Sequence, residues 1–125
     1  MSRSGRILIV DDETDARSTL AALLREAGFE VETATDAHDA LARCNAFGPH
    51  VVVTDLETPG VDGLELVEEL CAMEAPAAVV VVTASTAVAS AVEAMRAGAT
   101  EHLRKPINAD ELLLVTLACT LGELG

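Results

Sequence analysis

Carboxylate, hydroxyl and amino groups stand at the ends of short apolar runs in this sequence. Asp11 and Asp12 follow Ile7-Leu8-Ile9-Val10, and Asp55 follows Val51-Val52-Val53-Thr54. Thr83 closes the run from Ala78, and Lys105 follows Glu101-His102-Leu103-Arg104. Gathered on one edge, such groups suit phosphoryl transfer. Asp55 offers a nucleophilic carboxylate oxygen. Lys105 and a metal cation would place positive charge on the phosphoryl oxygens. Thr83 adds a hydroxyl donor that can follow the phosphate, whose charge of about −1.5 to −2 would pull on both Lys105 and Thr83. Converging carboxylates also call for a cation, because at about 4 Å and an effective dielectric of about 20 each pair repels by roughly 4 kcal/mol. Oxygen-only ligands favour Mg2+. Asp55 is therefore the candidate phosphate acceptor. Plainer readings exist: the acidic pair could cap the next helix, Thr83 could be a strand-end hydroxyl, and Lys105 a solvated surface lysine.

The elements that would carry these groups alternate. Short apolar runs bounded by turn residues read as buried strands, which predicts strands at Arg6–Val10, Val51–Asp55 and Ala78–Thr83; Glu101–Arg104 reads as a short fifth strand ended by Lys105-Pro106. Phe29–Ala34 alternates in polarity and reads as an edge strand. Between them lie helical patterns. Ala16, Leu20, Leu23, Leu24 and Ala27 fall at helical spacing before Gly28. Asp36 is placed to cap a helix carrying Ala37, Ala40, Leu41 and Cys44. After Gly63 come Leu64, Val67, Leu70 and Cys71, and before Gly98 come Val88, Ala91, Val92 and Met95 as an inward face. Asn108 with Glu111 resembles a capping box for a final helix holding Leu112, Leu113, Leu114, Val115, Leu117 and Leu121. That helix is apolar around more of its surface than one core face needs. The alternation predicts an α/β fold, a parallel sheet with helices on both faces, and the strand ends on the edge where such sheets bind ligands.

The 125 residues, half of them hydrophobic, suffice for one domain with a core, taken as residues 1–125. With 21 acidic and 8 basic residues the net charge is −13. That balance argues against direct nucleic-acid binding and suits a metal cation or a basic partner surface. Cys44, Cys71 and Cys119 form no C-x-x-C pair, so neither a disulfide framework nor a zinc site is indicated. No apolar run is long enough to span a bilayer, and the N-terminus lacks signal-peptide architecture. A cytoplasmic protein is expected.

Val10-Asp11-Asp12-Glu13, Asp55-Leu56-x-x-Pro59-Gly60-x-Asp62-Gly63, Thr83-Ala84 and Lys105-Pro106 together resemble the receiver domain of two-component response regulators. The likeness covers nearly the whole chain. Ala91–Ala99 further resembles receivers of NtrC-type, sigma-54-dependent activators. The resemblance implies a flavodoxin-like sheet of five strands in the order 2-1-3-4-5 with five helices. It implies that Asp55 takes a phosphoryl group from the phosphohistidine of a sensor histidine kinase or phosphotransfer protein. Asp12, Asp55 and the backbone carbonyl of Glu57 would bind Mg2+, with Asp11 acting mainly through water. Thr83, Ala84 and Lys105 would meet the phosphate, and the Lys105-Pro106 bond would be cis. The face formed by the last two helices and the fifth strand would change, and a homodimer through those helices is expected. Such a domain is a switch rather than a turnover enzyme. Two departures stand out: His102 occupies a switch position that usually holds Tyr or Phe, and Glu57 adds a carboxylate beside the metal. Two competing functions are a phosphate-independent interaction module of the same fold and a phosphohydrolase of the haloacid dehalogenase type. The latter carries its nucleophile in a D-x-D after the first strand, whereas Asp11 and Asp12 are adjacent here.

Overall fold

The computed structural model describes residues 5–56, 63–73, 76–84 and 88–121. In chain order these form β1 (Arg6–Val10), α1 (Thr14–Glu26), β2 (Glu30–Ala34), α2 (Ala37–Phe47), β3 (Val51–Asp55), α3 (Gly63–Cys71), β4 (Ala78–Thr83), α4 (Val88–Ala97), β5 (Glu101–Arg104) and α5 (Ala109–Thr120). The strands make one five-stranded sheet in the order β2-β1-β3-β4-β5. Every neighbouring pair is parallel. β2 is an edge strand, as its alternating sequence predicts.

Parallel strands covered on both faces need apolar side chains at successive positions. β3 meets that condition, with all five residues buried. Leu8, Val10, Val52, Val79 and Val81 point to one face, where Ala40, Cys44, Leu66, Val67, Leu70 and Ala94 pack on them from α2, α3 and α4. Ile7, Ile9, Val51, Val53, Val80 and Val82 point to the other, against Ala21 and Leu24 of α1 and Leu112 and Cys119 of α5. Burying each such aliphatic side chain contributes roughly 1.5–3 kcal/mol. Two turn signals act as expected. The Asp36 side chain accepts the Asp39 N–H at the start of α2, and Asn108 accepts that of Glu111 at the start of α5.

The inward face of α4 differs from the sequence expectation. Ala91 is buried, but Val92 is 47% and Met95 39% exposed, and Ala94 takes the inner position at 0%. The helix carries two apolar stripes, one of alanines and one of larger residues. The small stripe lets the backbone approach the sheet and α3 closely, and at Gly98 (φ +119°) an added Cβ would lie 2.9 Å from Cys71 Sγ. In α1, Ala27 is likewise exposed, lying at the C-cap beyond the packed face. On α5, Leu114, Leu117 and Leu121 are 68%, 46% and 64% exposed, opposite the buried Leu112, Thr116 and Cys119.

Candidate functional site

The C-terminal ends of β1, β3 and β4, and the residues following β5, meet at one edge of the sheet. β3 delivers Asp55 there with its side chain almost wholly buried. The β3–β4 ladder continues one residue further through the Leu56 N–H to the Val82 carbonyl (3.0 Å). Beyond β5 the Lys105 N–H bonds the Thr83 carbonyl at 2.9 Å, which carries the lysine back over the sheet. Lys105 Nζ then reaches Asp55 Oδ2 at 2.5 Å. The Lys105-Pro106 peptide is cis.

Asp11 is also buried. Its Oδ1 accepts the Glu13 N–H (2.9 Å), its N–H donates to the Ala34 carbonyl (3.1 Å), and its carbonyl accepts from Arg17 Nη1 (2.9 Å). Burial, above all, raises the Asp11 pKa; the neighbouring charges of Asp55 and Asp12 push the same way, against the Glu13 hydrogen bond and Lys105. The capping alternative does not account for the acidic pair. Glu13 is the N-cap of α1, and it makes no side-chain cap bond.

Thr83 sits at the end of β4, 1% exposed, and its Oγ1 has no hydrogen-bond partner among the described residues. The same holds for Thr54 Oγ1, one residue before Asp55. Ala84 is half-buried. His102, half-buried on β5, alternates with the buried Leu103, which puts it on the α4 side of the edge strand. Glu57 lies outside the described residues, as do Pro59, Gly60 and Asp62.

The three carboxylates lie near enough at this edge for the charges of Asp55 and Asp12 to act on Asp11. Asp12 is exposed to solvent, Lys105 pairs with Asp55, and among the described residues no three acidic, imidazole or thiol groups form a metal-holding cluster. The Lys105 ammonium on Asp55 offsets part of the repulsion at this edge. The donor set suits a hydrated ion rather than a caged one. It consists of oxygens only, and Asp11 holds its proton more tightly chiefly because it is buried, with the charges of Asp55 and Asp12 adding to this. Mg2+ keeps several waters and takes one or two carboxylates together with phosphate oxygens.

Sequence reasoning missed two residues here. In the sequence Thr54 signals only a strand-forming residue, and Arg17 carries no signal beyond a helical arginine. Helical side chains lean toward the helix N-terminus, so an arginine in the first turns of α1 is placed to reach back over the β1–α1 turn.

Residues 7–116 match the response regulator receiver domain. The regulatory protein AtoC of Escherichia coli K12 is 37% identical over 115 residues, which cover 92% of this chain and 25% of that protein. The receiver domain of NtrX from Brucella abortus superposes with a TM-score of 0.87 at 38% identity, covering 92% of this chain and 98% of that one. Chemotaxis response regulator CheY4 of Vibrio cholerae gives 0.85 at 30% identity, covering 93% and 98%. The chain spans between 23% and 55% of the length of the curated relatives AtoC, DctD and FixJ. Among the described residues no helix is long and apolar enough to cross a membrane.

Proposed function

The chain belongs to the response regulator receiver domain family, and from that premise we propose that it is a phosphorylatable switch whose acceptor is Asp55. The observation that carries this reading is the Lys105 ammonium held on the buried Asp55 carboxylate, beside a buried Thr83 hydroxyl that has no partner among the described residues.

A carboxylate oxygen of Asp55 attacks the phosphorus of a phosphohistidine in a histidine kinase or phosphotransfer protein. The P–O bond forms, the P–N bond breaks, and the imidazole leaves with its electron pair. Lys105 is already within reach and passes from the carboxylate to an equatorial phosphoryl oxygen. Thr83 Oγ1 donates to another, exchanging an unsatisfied burial for a charge-assisted hydrogen bond. Asp12, Asp55 and the Glu57 carbonyl would hold Mg2+, with Asp11 acting through water; the ion would add positive charge on the phosphoryl oxygens. Displacement of Thr83 toward the phosphate frees space on the α4 side of β4. His102, on the same side of the neighbouring strand, is the group placed to respond.

The readout is the face of α4, β5 and α5. Val92 and Met95 of α4 and Leu114, Leu117 and Leu121 of α5 and its C-cap are exposed, which supports a homodimer through the last two helices. Relatives named as transcriptional regulators, such as DctD of Pseudomonas aeruginosa, and the NtrC-type likeness of Ala91–Ala99 support an output in transcription. The strongly acidic charge argues against DNA contact by these residues themselves.

The test is intact-mass spectrometry after incubation with Mg2+ and acetyl phosphate or phosphoramidate. One phosphate adduct, lost in Asp55→Asn and without Mg2+, is expected. An adduct that survives in Asp55→Asn would overturn the assignment of the acceptor.

A further inference from the structure

Asp11 is fixed on three sides: its N–H by the Ala34 carbonyl, its Oδ1 by the Glu13 N–H, and its carbonyl by Arg17 Nη1. The last of these bonds has a consequence for the next residue. The Asp11 carbonyl belongs to the peptide plane that joins Asp11 to Asp12, and a planar peptide leaves only the two flanking dihedrals free. Holding that oxygen holds the plane, and the plane sets the direction in which Asp12 leaves the chain. Asp12 has no comparable restraint of its own, since it is exposed and does not cap α1. The guanidinium also chooses this carbonyl in a neighbourhood rich in carboxylates: Asp12, Glu13 and Asp15 are close in sequence, yet among the described residues Arg17 forms no ion pair.

The geometry points to Arg17 as a positioning residue for the cation site. It aims the Asp12 carboxylate by pinning the Asp11–Asp12 peptide, and it does so through geometry, against its own charge. This inference rests on the Mg2+-dependent switch proposed above. A positive side chain beside a cation site disfavours the cation, so the two effects of Arg17 on Mg2+ affinity have opposite signs and can be separated.

The experiment is calorimetric titration of the unphosphorylated chain with MgCl2 for wild type, Arg17→Met and Arg17→Lys. Far-UV circular dichroism and urea unfolding check that each variant is folded. Arg17→Met removes donor and charge together; the outer-shell role predicts affinity lower by about tenfold, whereas a role through charge alone predicts tighter binding. Arg17→Lys keeps the charge and replaces the planar fork by a shorter, less directed donor; positioning predicts a loss of a few-fold, and a charge role predicts no change. Unchanged or tighter binding in either folded variant overturns the inference. If Arg17→Met does not fold, Arg17→Lys decides alone. Wild type that accepts phosphate on Asp55 while the variants bind Mg2+ normally overturns the role of Arg17 and leaves the switch standing. Wild type that binds no Mg2+ overturns both.

Discussion

Thr83→Val should stabilise the unphosphorylated protein while disabling its response. Thr83 is 1% exposed, and its Oγ1 has no partner among the described residues. A buried hydroxyl without a partner costs about 1–3 kcal/mol relative to a group that needs none. Valine has nearly the same shape and suits a strand flanked by Val82 and its neighbours. The expected gain is about 1–2 kcal/mol toward the lower end of that range, because the extra methyl must also fit a dense interior. For a domain of this size that corresponds to about 4–8 °C in Tm. Urea unfolding followed by circular dichroism measures it without aromatic fluorescence, which matters because the chain has no Trp or Tyr. The second half of the assay adds Mg2+ and beryllofluoride as a phosphoryl mimic. Wild type should gain stability by ligand linkage; the valine variant should gain less, and amide shifts on β5 and α4 should be largely lost. Destabilisation of 1 kcal/mol or more by Thr83→Val, with beryllofluoride absent, would refute the reasoning, since it would mean that the hydroxyl is satisfied at rest. Thr54→Val is the internal comparison. The same local physics predicts a similar gain in stability, but with the beryllofluoride response intact.

Asp11 supplies a prediction about pH. Its pKa lies above the ordinary 3.8, chiefly through burial, so the folded protein holds this proton more tightly than the unfolded chain. Stability therefore falls as pH rises from the unfolded value through the raised folded one, and the full penalty remains above both. Asp11→Asn, which keeps an oxygen for the Glu13 N–H, should be more stable than wild type at pH 7 in urea unfolding, with the difference closing below pH 3.8; an advantage that grows on acidification would contradict this. Lys105→Met should leave the buried Asp55 carboxylate without its ammonium and cost about 1–3 kcal/mol, less than a fully buried pair because Lys105 is 39% exposed; a neutral outcome in thermal unfolding would show that water already solvates Asp55. Leu114→Glu with Leu117→Glu alters only exposed positions, so stability should change by less than about 0.5 kcal/mol. Dimerisation in the presence of beryllofluoride should disappear in analytical ultracentrifugation, and a variant that dimerises normally would remove α5 from the interface.

The strands were legible because a parallel sheet covered on both faces has little choice of sequence. The runs Ile7–Val10, Val51–Val53 and Val79–Val82 must be apolar at successive positions, and the site residues sit at their ends. Asp36 and Asn108 were legible for a related reason: a side chain that accepts the N–H three residues on marks a helix start locally. The phase of α4 was not. Ala91 and Ala94 compete with Val92 and Met95 for the sheet, and hydrophobicity alone favours the larger pair. Close approach decides for the alanines, and that depends on the contact of Gly98 with Cys71 of α3, which is distant in sequence. The leucines of α5 show the converse. An excess of apolar residues was visible in the sequence, but which of them face outward follows only from the burial of Leu112, Thr116 and Cys119.

At the site the division between legible and hidden follows chemical type. Asp55 and Thr83 could be found because each is a polar group in a place where an apolar run ends, and Lys105 because it stands with Pro106 at the end of the short fifth strand. Arg17 and Thr54 could not, because each occupies a place where its residue type is unremarkable: an arginine on a helix, a β-branched residue in a strand. What makes them matter is a backbone atom or an absent partner, and neither is written in residue types. Asp11 shows how the two kinds of information join. Its carboxylate was read as a ligand, yet one oxygen holds the Glu13 N–H and its carbonyl receives Arg17. The structure shows the residue as a strut. Rigid support of this kind is what a hydrated cation site on a turn requires, because few protein ligands must be held in place without a closed cage. The acidic pair accordingly divides: Asp11 is buried, restrained and costly to ionise, while Asp12 is exposed and, on the inference above, would be aimed by the peptide that Arg17 holds.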